Sequence, residues 1–245
     1  EGDNGEVSIR RSTNDEASVR AEIRGRGVKR VAAVQVVVQA DAEGNLSIRV
    51  DWPIGWRRAG EAAQLEIAIP GCSGLIVHTG NGGITLTGLG GKATLDSGNG
   101  AIVVTDHDGE LELSTSNGSV DATNINGACR IRTSNGRVDA REIGGRLSVS
   151  TTNGTVDVVL SDSNPGPVDI RTANGSVDLA IGSAFAGDLR LETFNGRVNV
   201  YNMSGDLEFD DEREWAVIHR PGTGRSLIRT SNGRIAVRSL TQNRP

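Results

Sequence analysis

The sequence predicts an all-β protein, a parallel β-solenoid (β-helix) of about 18 residues per coil with two main strands in each. Three observations lead there. Asn-Gly recurs at Asn81-Gly82, Asn99-Gly100, Asn117-Gly118, Asn135-Gly136, Asn153-Gly154, Asn174-Gly175 and Asn195-Gly196, in steps of 18, 18, 18, 18, 21 and 21 residues. A second glycine signal, at Gly90-Gly91, Asp108-Gly109, Asn126-Gly127 and Gly144-Gly145, falls nine residues after the first four. Between these turns aliphatic and polar residues alternate, which is the period of a strand.

Residues 1–73 read as strands and a cap. Alternation marks Val7 and Ile9, then Val19, Ala21 and Ile23, then Val34, Val36 and Val38, then Leu46, Ile48 and Val50, then Leu65, Ile67 and Ile69. Asn4-Gly5-Glu6-Val7-Ser8-Ile9 already matches the later unit, so irregular first coils are expected near the start. Trp52, Pro53 and Trp56 fall in a loop, where bulky rings would cover the open end of a stack, as terminal repeats require. Residues 74–240 are the regular repeats and 241–245 a tail. No helix is predicted.

Aligned on Asn-Gly, the repeats give two apolar pairs per coil. Val138/Ala140 and its equivalents follow the glycine, and Cys129/Ile131 and its equivalents lie on the opposing strand. Two residues before each Asn stands Thr79, Ser97, Thr115, Thr133, Thr151, Thr172, Thr193 or Thr230, on the inward parity. Asn-Gly itself is expected to supply positive φ at a sharp reversal. The longer steps carry loops at Asn164-Pro165-Gly166-Pro167 and Ala184-Phe185-Ala186, expected to bulge from one edge. The pattern blurs after Phe209, and Asn232-Gly233 restores it for a last coil. An antiparallel meander would also suit Asn-Gly. It would need a barrel too wide for side chains to fill, whereas two parallel sheets bury the same residues directly.

Composition narrows the function. With 26 basic and 31 acidic residues interspersed, net −5, no dedicated nucleic-acid surface is expected. Its longest apolar run, Val31–Val38 broken by Gln35, falls short of the roughly 20 residues a spanning helix needs. The chain starts at Glu1 with no visible signal peptide, so processing or trimming is expected. Cys72 and Cys129 sit about three coils apart, roughly 14 Å at the strand spacing, beyond the ~7 Å that a disulfide spans. Both are expected free.

Chemistry has few footholds. Asp121, Asp139, Asp157 and Asp178 stack on successive rungs, with Arg137 and Arg141 flanking Asp139, and form the candidate binding surface. Like charges in a ladder repel. Other outward columns pair signs: Glu112 beside Arg130, Asp169 beside Arg190 beside Glu208, and Arg171 beside Glu192. His78 is one rung from Asp96. His107 lies between Asp106 and Asp108 at a corner, with no second His or Cys beside it to complete a metal site. His219 lies in the irregular loop, and no Ser/His/Asp arrangement exists. Calcium β-rolls carry their aspartates in the glycine turns, unlike these strands. Glycan-cleaving β-helices need a carboxylate pair in a walled cleft. Ice-binding arrays need threonines facing outward. No catalytic residue, metal or cofactor is expected.

Leu65-Glu66-Ile67-Ala68-Ile69-Pro70, Leu75-Ile76-Val77 and the run of Thr-x-Asn-Gly-x-Val-x-Val units resemble the bacterial putative adhesin family of β-strand-repeat proteins, a domain of unknown function. The likeness covers roughly residues 60–240 and departs at 210–225. It implies a β-solenoid at or beyond the cell envelope and brings no catalytic residues. The expected function is a non-enzymatic, extracytoplasmic structural or adhesive module. Its expected partners are a cell-surface glycan or protein, or further copies joined through the ends of the stack. The alternative is a glycan-binding or glycan-processing β-helix.

Overall fold

The computed structural model describes residues 5–25, 27–41, 46–53, 60–203, 205–210, 212 and 214–240. Alternating residues of the amino-terminal part form β1 (Val7–Arg11), β2 (Ser18–Arg24), β3 (Gln35–Ala40), β4 (Leu46–Asp51) and β5 (Ala62–Ile69). The repeats then give β6 (Gly74–Thr79), β7 (Ile84–Thr87), β8 (Lys92–Ser97), β9 (Ile102–His107), β10 (Leu111–Thr115), β11 (Val120–Ile125), β12 (Cys129–Thr133) and β13 (Val138–Ile143). They continue as β14 (Leu147–Asn153), β15 (Val156–Leu160), β16 (Val168–Asn174), β17 (Val177–Ile181), β18 (Asp188–Asn195) and β19 (Val198–Tyr201). Last come β20 (Asp206–Phe209), β21 (Trp215–His219), β22 (Arg225–Asn232) and β23 (Ile235–Ser239).

The protein is all-β. From β6 to β19 the chain alternates between two sheets, even-numbered strands in one of ten strands and odd-numbered strands in one of eleven. As far as β17, strands one repeat apart pair parallel, so Val120, Val138 and Val156 lie side by side. No Asn-Gly in this run makes a hairpin. The inward columns are sealed: Val120, Ala122, Ile131, Val138, Ala140 and Leu147 have no accessible surface. Each fully buried Val or Leu contributes about 1.5–3 kcal/mol, which makes this aliphatic seam the main source of stability.

The reason for Asn-Gly differs from the expectation. Positive φ occurs instead at the non-glycine residues Asp106, Asn124, Glu142 and Asn202, with values from 52° to 56°, at Gly91 and Gly109 of the second turn signal, and in the Asn-Gly units only at the outlying Gly5 and Gly233. The glycines from Gly82 to Gly196 in the motif lie outside that region. They are needed because the stacked backbones nearly touch: a Cβ on Gly136 would sit 1.9 Å from the Gly118 carbonyl oxygen, and one on Gly154 2.0 Å from that of Gly136. The asparagines form a ladder of side-chain amides. Asn117 Nδ2 donates to Asn99 Oδ1 at 2.6 Å, Asn135 to Asn117 at 2.9 Å and Asn153 to Asn135 at 2.8 Å. The buried threonine column clips the same corner. Thr115 Oγ1 donates to the Gly100 carbonyl (3.0 Å) and accepts from the Gly118 N–H (3.2 Å), joining two repeats.

Both chain ends depart from a simple stack. β1 joins it as expected, with Val7 between Leu65 and Ile84. β2 instead runs antiparallel along β5 and closes the eleven-stranded sheet, while β3 and β4 pair only with each other. A single helical turn, α1 (Val28–Val31), appears where no helix was predicted. It is anchored by Arg30, whose Nη2 lies 3.2 Å from the buried Glu61 carboxylate. Trp52 and Pro53 are half-buried. Trp56, Asn4 and the tail 241–245 lie outside the described residues.

At the carboxy end the last repeat is not outermost. β22 and β23 insert between the β16/β17 and β18/β19 repeats. The expected Asp169–Arg190–Glu208 and Arg171–Glu192 adjacencies are therefore corrected: Leu227 separates Asp169 from Arg190, and Arg229 separates Arg171 from Glu192. The gain is a partner on each side of Asn232, which donates to Asn174 (2.7 Å) and accepts from Asn195 (2.8 Å). Strands β20, with Asp206 and Glu208, and β21 pair antiparallel and are left at the end. The longer loops also turn inward rather than bulging. Phe185 is buried, and the buried Asn164 donates to the carbonyls of Ile143 (2.6 Å) and Gly145 (2.8 Å).

Candidate functional site

The four aspartates meet as expected. Asp121, Asp139, Asp157 and Asp178 occupy one register position on β11, β13, β15 and β17. Alternation puts them outward because Val138 and Ala140, on either side of Asp139, point into the core. The column ends against Val103 on one side and Ala236 on the other.

Carboxylates one strand spacing apart repel, and arginines offset this. Arg137 Nη2 lies 2.7 Å from Asp157 and 3.6 Å from Asp139, and Arg141 Nη2 lies 2.7 Å from Asp139. Arg234 Nη2, 3.0 Å from Asp178, completes the set. The sequence reading missed Arg234 because it depends on the inserted last repeat. Its signal was visible as Asn-Gly-Arg, shared by Arg137, Arg197 and Arg234. Asp121 has no ion-pair partner among the described residues. Each exposed pair contributes about 0–1 kcal/mol, so the strip is a mixed-charge outer face in which three of the four aspartates are paired. The apolar cleft lies elsewhere, beside β6.

The histidines are dispersed. His78 Nδ1 is 4.0 Å from Asp96, both half exposed. His107 points into the core beside Ile125, while Asp106 and Asp108 are exposed, so the three do not converge. Neither His107 ring nitrogen has a hydrogen-bond partner among the described residues. An imidazole in an aliphatic column loses hydration without replacement. His107→Leu, matching Leu89 and Ile125, is expected to raise stability by about 1–2 kcal/mol, measured by urea denaturation.

His219, expected in an irregular loop, instead ends β21, opposite Asp206 on β20. Its Nδ1 lies 2.9 Å from Asp188 on β18, and its Nε2 lies 3.9 Å from Glu208 on β20. The hydrogen bond to Asp188 raises its pKa, reinforced by the charges of Asp188, Glu208 and Asp206. A raised histidine pKa gives stability that is complete below about pH 6.5, the ordinary value, and lost as pH rises through the folded value. Hydrogen exchange in residues 206–219 is expected to speed up across that range beyond its intrinsic pH dependence. His219→Gln is expected to remove the excess.

Both cysteines are free. Cys129 fills the Leu111/Leu147 column, and burial pushes its thiol up to about 12. Burial also raises the half-exposed Cys72. A disulfide reagent at pH 8 is expected to modify Cys72 slowly and Cys129 only after unfolding.

Residues 104–204 match the model of a family described as a domain of unknown function (DUF7330). No curated protein matches the chain. Two solved structures align along most of it. One is described as a putative adhesin from Bacteroides fragilis NCTC 9343, with 13% identity and a TM-score of 0.41 over 98% of this chain and 89% of that one. The other is described as a putative cell adhesion protein from Clostridium sporogenes ATCC 15579, with 9% identity and a TM-score of 0.21 over 96% and 88%. No helix among the described residues is long and apolar enough to cross a membrane.

Proposed function

We propose that the chain is a parallel β-solenoid acting as a non-enzymatic structural or adhesive module, placed outside the cytoplasm or on the cell envelope. The observation that supports this best is the outer face on which Asp139, Asp157 and Asp178 are each matched by an arginine. Catalysis by carboxylates needs a pair set in a concave site with separated proton affinities. An outer sheet face of paired charges instead suits reversible contact with another surface. In the test, beads coated with the chain are passed over immobilised bacterial-envelope and host-surface fractions, and supernatants are assayed for newly released reducing ends. Retention above an albumin control without release is expected. Release of reducing ends that Asp139→Asn abolishes would overturn the non-enzymatic reading.

One observation favours glycans among the contacted surfaces. Phe194 is 75% exposed, and Trp215 stands opposite Glu192, two residues earlier on the neighbouring strand β18. Two aromatic faces beside Arg190, Glu192 and Arg229 provide stacking surface and hydrogen-bonding groups for sugar rings. On a glycan array, Phe194→Ala and Trp215→Ala are expected to weaken any retention.

A further inference from the structure

The two large sheets do not end level. Beyond β7 the eleven-stranded sheet continues through β1, β5 and β2, while the ten-stranded sheet stops at β6. The inner face of this overhang therefore lacks a facing strand from the other sheet; Ile9 and Leu65 on it are buried all the same, and Ile67 is half-buried. The β3–β4 hairpin stands across it with Leu46 and Ile48. A cleft of about 410 Å³ remains between hairpin and β6, running along Gly74–His78. That volume lies within the range of ligand sites.

The wall formed by β6 is a strand edge. Among the described residues β6 pairs only with β8. The Ser73 carbonyl accepts from Lys92 N–H and the Thr79 carbonyl from Gly98 N–H, so odd-numbered residues face β8. By alternation Gly74, Ile76 and His78 turn their N–H and C=O groups toward the open side. Charged side chains guard the edges formed by β2 (Arg20, Glu22, Arg24) and β20 (Asp206, Glu208), as is usual for exposed strands. On β6 the sequence Gly-Leu-Ile-Val-His-Thr has no carboxylate, lysine, arginine or proline. A cleft of about 410 Å³ is room for a short extended segment and not for a whole sheet.

We propose that the cleft beside β6 takes up an extended peptide segment of another protein, with apolar side chains at alternate positions, as an added strand. Backbone hydrogen bonds to Gly74, Ile76 and His78 hold it, and its alternate side chains rest on the half-buried Ile48, Ile67 and Leu75. This is β-strand addition. It deepens the adhesive reading by naming the class of partner and rests on that reading.

The probe is a fluorescein-labelled peptide copying residues 110–116 (Glu-Leu-Glu-Leu-Ser-Thr-Ser), whose leucines occupy the inward column of the same sheet. Its binding is followed by fluorescence anisotropy. Saturable binding is expected, with at least a tenfold loss when both peptide leucines are replaced by Asp. Ile76→Pro removes an N–H that faces the cleft rather than β8, a position where an edge strand tolerates proline. It is expected to weaken binding at least tenfold with little change in melting temperature. Leu46→Lys, at an exposed position on the opposite wall, is the second variant and is expected to do the same. Absence of peptide binding, or equal binding by both variants, would overturn the proposal. So would strong uptake of 1-anilinonaphthalene-8-sulfonate without peptide binding, which marks a small-molecule pocket. A dimer of the chain that Ile76→Pro dissociates would assign the edge to a second copy and also overturn it. Lost peptide binding with bead retention intact removes only the cleft. Lost retention with peptide binding intact removes only the surface-contact reading.

Discussion

Val138→Asp is expected to abolish cooperative folding of the central repeats. Val138 has no accessible surface and lies between Val120 and Val156, facing the opposite sheet. Its column and the one facing it are aliphatic, so a carboxyl there meets no donor. Burying such a group unpaired costs several kcal/mol even when it is protonated. A loss of about 4–5 kcal/mol or more is expected, a large share of the roughly 5–15 kcal/mol that holds a domain folded. Circular dichroism and thermal melting read this directly. Asp139→Asn, one residue along and outward, is the internal contrast, because exposed charge pairs are worth no more than about 1 kcal/mol. Equal melting of Val138→Asp and the native chain would refute the inward assignment.

Gly136→Ala is expected to be nearly as disruptive, although it adds one methyl group. The new Cβ would lie 1.9 Å from the Gly118 carbonyl oxygen and 3.0 Å from Thr133 Oγ1. The first atom is backbone within a ladder, so relief requires moving two repeats apart. The neighbouring Asn135 amide, bonded to Asn117 and Asn153, would move with them. A loss of about 3 kcal/mol is expected, at the upper end for overpacking, with the melting temperature as readout. Ala at Gly27, where the added atom meets nothing within 4 Å, carries only the cost of its φ of 94°. Had the motif existed for positive φ, the two substitutions would behave alike.

The contrast between those glycines shows what the sequence could convey. Spacing and alternation were sufficient for the parallel pairing, the inward columns and the aspartate column, because in-register stacking repeats one local decision. Val138 could be placed from its own neighbours. Asn135 could be identified as a corner but not as an amide bonded above and below, since that bond joins residues 18 positions apart. The final repeat was harder still. Asn232-Gly233 has the same local signature as every other corner, and only the competition between an end position and an interior one decides where it goes. Arg234 meets Asp178 through that choice. The candidate face was thus legible in its aspartates and incomplete in its counterions. The cleft beside β6 was not legible, because it arises from the unequal lengths of two sheets.

The interleaving of the last repeat bears on how the protein comes to be made. A string of repeats added in order could settle progressively as it left the ribosome or an export channel. Here the place between Asn174 and Asn195 waits for Asn232, 37 residues after Asn195. At the opposite end, β1 waits for β5 and β7, more than fifty residues later. Shortening the chain after residue 224 would therefore leave a missing floor inside the building, and the top storey would lose its support.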